Sequence, residues 1–120
     1  MPDQPAKHDP IVTGIRVEGD CVLTSVSGEI DLHSSPELRD ALLAALEKNR
    51  PKRLILNLAK VPYMDSSAVA VLVEALQKLR KAGGKLCLTN LQPRVKGLLE
   101  IARLDTIFVI AANEEEAKTK

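Results

Sequence analysis

The chain reads as an α/β domain with a mixed, mostly parallel sheet of about five strands packed with about four helices. Three features of the sequence predict this. After an opening pair of short strand-like segments, apolar runs of strand length take turns with stretches of helical periodicity. One run, residues 54–58 (Leu-Ile-Leu-Asn-Leu), is nearly all apolar, as expected of a central strand covered on both faces. Gly19-Asp20, Pro51, Pro62 and Gly83-Gly84 punctuate the chain between the periodic segments.

The elements follow in order. Residues 1–10 are polar, carry three prolines and lack an apolar signal core, so they are expected to be a flexible leader. Residues 11–120 are expected to form a single domain, with a core built on aliphatic side chains. Residues 13–18 alternate apolar and polar, with Ile15 and Val17 on one face; Gly19-Asp20 turns the chain, and residues 21–27 make the second strand of a hairpin. Gly28-Glu29-Ile30-Asp31 leads into a polar loop that holds His33.

Ser34 or Ser35 caps the first helix, and Pro36 fits its first turn because an amide there has no helical partner to lose. Leu38, Ala41, Leu42, Ala45 and Leu46 form the helix's apolar stripe, and Pro51 stops any continuation. A second helix begins at Ser66 or Ser67. It turns Val69, Leu72, Val73, Leu76 and Leu79 inward and Glu74, Lys78 and Lys81 to water. Gly83-Gly84 supplies a left-handed stop. Residues 86–90 form a strand, and Pro93 starts a third helix with Val95, Leu98, Leu99 and Ala102 inward. Residues 107–110 make the last strand, and the acidic end around Glu114 and Glu116 reads as a frayed, solvated helix.

Composition narrows the function classes. The net charge is +1 with both signs interspersed, and Tyr63 and Phe108 are the only aromatic residues, so neither a basic nucleic-acid surface nor a base-stacking platform is expected. No apolar run approaches the ~20 residues of a membrane-spanning helix, and a soluble cytoplasmic protein is expected. Cys21 and Cys87 stand far apart without a CxxC pair, which reads as two reduced core thiols. Neither His8 nor His33 has a partner at metal-ligand spacing, so no metal or cofactor is expected. Nucleophile elbow, P-loop and HExxH patterns are all missing, and the expectation is a protein that is not an enzyme.

The informative stretch is Val61-Pro62-Tyr63-Met64-Asp65-Ser66-Ser67, where a strand has ended and two hydroxyls meet a helix start. A right-handed crossover from residues 54–58 through this helix to residues 86–89 puts the stretch at the carboxyl end of a central strand. Read alone, Asp-Ser-Ser is an ordinary helix cap, with Asp65 or Ser66 accepting from an orphan amide. Glu29 and Asp31 read as a loop cap and an exposed binding charge rather than an acid–base pair.

In this setting the chain resembles the STAS family, the sulfate transporter and anti-sigma factor antagonist domain, and within it the stand-alone bacterial antagonists. The resemblance runs over residues 13–110. It is carried by Gly28-Glu29-Ile30-Asp31, Leu56-Asn57-Leu58, the Tyr63-Met64-Asp65-Ser66-Ser67 turn, Gly83-Gly84, and Leu91-Gln92-Pro93 with Val95, Leu98 and Leu99. It implies the STAS fold and a protein that binds a GHKL-type anti-sigma serine kinase, frees a sigma factor and lets go once Ser66 is phosphorylated. A PP2C-type phosphatase would reset it, and the chain would act as a monomer or weak dimer. The partner-binding residues so implied are Glu29, Asp31, His33, Met64, Asp65, Ser66, Ser67 and Ala68. A phosphate adds about −1.5 to −2 charges; at a helix start the dipole and free amides are expected to tolerate it, so the penalty should fall on the partner surface.

The chain departs from the family pattern in two places. Ala68-Val69-Ala70 stands where Gly, an apolar residue and often a second Gly are usual, and Arg103 stands for a Gly. A methyl at position 68 is expected to stiffen the first turn and to narrow a partner's approach to Ser66. The alternative reading is a STAS interaction subunit of a transporter-associated or signalling complex, without phosphate turnover.

Overall fold

A computed structural model describes residues 10–120, so the expected leader lies, but for Pro10, outside the described residues. The chain runs β1 (Val12–Glu18), β2 (Cys21–Ser27), α1 (Ser35–Asn49), β3 (Arg53–Lys60), α2 (Ser66–Lys81), β4 (Lys85–Thr89), α3 (Pro93–Ile101), β5 (Val109–Ala111) and α4 (Glu114–Ala117). The five strands form one sheet in the order β1-β2-β3-β4-β5. β1 and β2 are antiparallel, joined through Gly19, whose φ of +63° suits the turn. The remaining neighbours are parallel.

Each parallel crossover steps one place in the same direction, which the right-handed rule satisfies by setting the connecting helices on one face. The core agrees: Val22, Leu54, Leu56, Leu58, Leu86 and Leu88 pack with Leu38 and Leu42 of α1, Leu72, Leu76 and Leu79 of α2, and Val95 and Leu99 of α3. Leu54, Leu56 and Leu58 point to this face by strand alternation, and burying each contributes on the order of 2 kcal/mol. α2 also turns Ala68, Val71 and Ala75 inward, while Val69 and Val73 only flank the core. Glu74 leans toward α1, where its carboxylate takes a two-pronged bond from Arg39 at 2.7 and 2.8 Å.

The opposite face departs from expectation. The acidic end does not fray: α4 lies on the sheet, and Ala117 is fully buried with Cys21, Leu23, Ile55, Cys87 and Ala111. Asn113 caps α4 by accepting from the Glu116 amide at 2.9 Å, and Glu114 receives bonds from Arg16 at 2.6 Å and Asn57 at 3.1 Å. The Arg53 guanidinium donates to the carbonyls of Lys118 and Lys120, closing the chain end onto β3. A four-residue helix is too short for periodicity to reveal, and its docking depends on strands far away in sequence. Both cysteines are free and buried on this face, and burial raises the Cys87 pKa.

Three smaller differences have local causes. Ala102, expected inward, is exposed, because α3 ends at Ile101 and Arg103 takes a left-handed φ of +58°. The last strand starts two residues later than expected and pairs Val109 with Cys87. The two glycines of the α2 stop have separate jobs. Gly83 supplies the positive φ of +80°; at Gly84 a Cβ would sit 3.0 Å from the Lys52 carbonyl oxygen and from a Leu79 methyl, so the strand start packs directly against backbone.

Candidate functional site

β2 and β3 are parallel, so their carboxyl ends lie side by side and the loops that leave them are neighbours. Three backbone bonds join those loops: the Gly28 amide donates to the Lys60 carbonyl (2.9 Å), the Ile30 amide to Tyr63 (3.0 Å), and the Asp65 amide to Ile30 (3.1 Å). The result is a strand-like extension with Ile30 opposite Met64. Alternation then sorts the side chains. Ile30 and Met64, at 0% and 2% exposure, point into the core with Val61, while Glu29, Asp31 and Asp65 stay at the surface.

Asp65 caps α2. Its backbone is extended, and Oδ1 accepts from the Ser67 amide (2.9 Å), the Ala68 amide (3.3 Å) and the Ser67 hydroxyl (2.5 Å). The carboxyl is held below its ordinary range, first by the Ser67 hydroxyl and then by the amides of Ala68, Ser67 and Leu32, against a desolvation penalty. Ser67 is thereby committed to the cap. Ser66 is exposed at the first helical position, and among the described residues its hydroxyl has no hydrogen-bond partner.

Asp31 organises the turn that enters α1. Oδ1 accepts from the His33 amide (2.9 Å), the Ser34 amide (3.1 Å) and the Ser34 hydroxyl (3.3 Å), while the Asp31 carbonyl accepts from the Ser35 amide at 2.8 Å. These bonds lower the Asp31 pKa, the Ser34 amide most. Ser34 does stand at the helix cap, but its side chain does not cap; its hydroxyl bridges the Glu29 carbonyl and the Asp31 amide, each at 3.0 Å. Glu29 and His33 are exposed on either side.

The expected site residues therefore divide. Glu29, Asp31, His33, Asp65, Ser66 and Ser67 come together on one surface at the end of β2 and β3. Met64 and Ala68 do not reach it: both are buried, and the Ala68 methyl points into the core beneath Ser66 rather than across a partner's path. The expectation of open amides also needs correction, because Asp65 already occupies those of Ser67 and Ala68. A phosphate on Ser66 would meet the helix dipole but also an ionised carboxylate.

Two features escaped the sequence reading. Leu32, between Asp31 and His33, is 72% exposed on the loop whose Ile30 carbonyl accepts from the Asp65 amide. Tyr63 lies under the Arg94 guanidinium at 5.2 Å, which brings the start of α3 to the same end of the sheet. An apolar residue in a polar loop was the only sequence signal for Leu32. A groove of about 480 Å³ lies elsewhere, between the far ends of α1 and α2 and lined by Leu43, Leu46, Pro51 and Leu79. Leu79 is about 20 Å along α2 from Ser66. The strand order never reverses, so the crossovers create no switch-point crevice of the kind that holds small ligands in doubly wound sheets, and the surface suits a protein face.

Comparison with known proteins gives a consistent result. The STAS domain family matches residues 14–117. The anti-sigma-B factor antagonist of Bacillus subtilis (strain 168) is 36% identical over 94 residues, 78% of this chain and 84% of the relative. The crystal structure of an anti-sigma factor antagonist from Mycobacterium paratuberculosis superposes with a TM-score of 0.80 at 26% identity, covering 90% of this chain and 92% of the other. The Bacillus cell fate determinant SpoIIAA, solved in its phosphorylated form, shares the fold with a TM-score of 0.68 at 24% identity, over 88% of this chain and 96% of that one.

Proposed function

The chain belongs to the STAS domain family, and on that premise we propose that it is an anti-sigma factor antagonist whose partner exchange is controlled at Ser66. Unphosphorylated, it binds a GHKL-type anti-sigma serine kinase through the surface around Glu29, Asp31, His33, Asp65, Ser66 and Ser67, and the kinase releases its sigma factor. The kinase moves the γ-phosphoryl group of ATP to the Ser66 oxygen, ADP leaves, and the complex dissociates. A PP2C-type phosphatase returns the chain to its binding form. In this reading the protein works in the cytoplasm as a monomer or weak dimer, binds neither nucleic acid nor membrane directly, and supplies no catalysis.

The observation that carries the reading is the division of labour between neighbouring hydroxyls. Asp65 engages Ser67 and the helix amides, and Ser66 is left exposed with nothing to hold it. An acceptor must reach into another protein's active site, so it has to be spared from the cap. The same geometry accounts for the switch. Asp31 and Asp65 are kept ionised by the bonds they accept, and added phosphate charge on Ser66 concentrates negative potential where the partner docks. Helix α2 retains its Asp65 cap throughout, so the fold survives and only the interface changes.

Ser66→Glu tests this. Its thermal midpoint should stay within about 2 °C of wild type, as expected for an exposed substitution, while kinase affinity falls at least about tenfold. Mass spectrometry after incubation with kinase and ATP should find phosphate on Ser66 and none in Ser66→Ala. A loss of stability large enough to explain the lost binding, or phosphate on Ser67 instead, would sink the reading. The fixed-subunit alternative counted a methyl obstructing Ser66 among its arguments; Ala68 is buried, which favours the switching reading at that one point.

A further inference from the structure

We infer that Leu32 is the apolar anchor of the kinase-binding surface, and that the kinase meets it with an apolar pocket rimmed by basic side chains. The inference rests on the reading of Ser66 as the regulated acceptor and names what recognises the surface around it.

Leu32 is 72% exposed, although most aliphatic side chains of this chain are buried. It is not loose. The Asp31 carboxylate holds the amides of His33 and Ser34, which follow Leu32, and the Ile30 carbonyl, two residues before Leu32, accepts from the Asp65 amide. The side chain is thus presented from a backbone held on both sides, on the loop whose Ile30 is bonded to Asp65, the residue before the acceptor serine. Pinning before binding removes most of the ordering cost, which is how an exposed aliphatic group becomes an efficient contact.

The surroundings identify the occupant. Glu29 and Asp31 share the loop with Leu32, Asp65 is bonded to that loop through Ile30, and the two aspartates favour their ionised form because amides and hydroxyls stabilise the charge. An apolar centre with an acidic rim is the arrangement of an interface hot spot: the centre gives affinity, and the rim selects a basic partner and speeds encounter. A second copy of this chain would bring a like-charged rim against the first, so self-association through this face is disfavoured. Arg94 lies by Tyr63, on the β4–α3 side.

The experiment titrates purified wild-type protein, Leu32→Ala and Leu32→Met into each GHKL-type serine kinase encoded in the source genome, by isothermal calorimetry. Leu32→Ala should weaken binding at least about tenfold, the expected effect of leaving a pocket for that side chain unfilled, with an unchanged thermal midpoint. Leu32→Met should recover most of the loss. Ile101→Ala, which trims an 86% exposed aliphatic group at the end of α3, should bind as wild type does. Equal binding by wild type and Leu32→Ala overturns the inference while leaving the Ser66 reading in place. Wild type that binds none of the kinases overturns both. Sedimentation velocity of the free proteins covers the remaining occupant: a wild-type dimer abolished by Leu32→Ala would assign the anchor to a second copy and overturn the kinase assignment.

Discussion

Replacing Ala68 with glycine separates two opposed ideas about the start of α2. If the methyl faced the partner, its removal would open the approach to Ser66 and speed phosphorylation. The structure puts it in the core at 0% exposure, two residues after the exposed serine and in the same apolar cluster as Leu72 and Ile30. Removing one buried methyl costs about 0.8 kcal/mol, and glycine in place of alanine in a helix adds about 0.5–1 kcal/mol. The sum is about 1.5 kcal/mol. With unfolding entropy of about 2.1 cal/mol/K per residue, that loss lowers the melting temperature of a 120-residue chain by about 6 °C. Calorimetric unfolding reads the stability, and initial rates of phosphoryl transfer at saturating kinase, taken well below the transition, read the approach. The expected outcome is a lower midpoint with a transfer rate within about twofold of wild type. An unchanged midpoint together with a several-fold faster transfer would refute the argument from burial.

Two further outcomes follow from the geometry. Gly84→Ala should destabilise by about 1–3 kcal/mol in urea unfolding, because overpacking must push its Cβ against the Lys52 carbonyl; Gly83→Ala, with open space at its Cβ, should suffer only from its positive φ. Acid should loosen the site in a defined direction. Asp31 and Asp65 have folded pKa values below the ordinary 3.8, so their contribution is present above that value and disappears as pH falls through the lowered ones. A melting-temperature series from pH 6 to about pH 2.5 should therefore fall more steeply for wild type than for Asp65→Asn.

Much of the candidate site is readable in sequence because it is local. Asp65 and Ser66 adjoin an apolar helical stripe, and a cap acts on amides two and three residues away. Strand order after the hairpin is similarly constrained by short connections and crossover handedness. Less visible was the sorting of hydroxyls: Ser66 and Ser67 differ by one position, and only the helix start at Ser66 decides which one Asp65 engages. The burial of Met64 has a similar origin. It follows from the loop's pairing with Ile30, more than thirty positions earlier, which extends the strand alternation past the end of β3.

The Asp65-Ser66 turn, the aliphatic core and the α/β alternation were thus determined by the sequence itself, through periodicity, caps and turn residues that act over a few bonds. Tertiary structure decided what depends on surfaces meeting. It set α4 on the second face of the sheet, turned the Ala68 methyl inward, and tied the loop of Leu32 to Asp65 through the Ile30 carbonyl. Those outcomes arise from side chains competing for one finite interior, and a pattern read along the chain carries no record of which competitor wins.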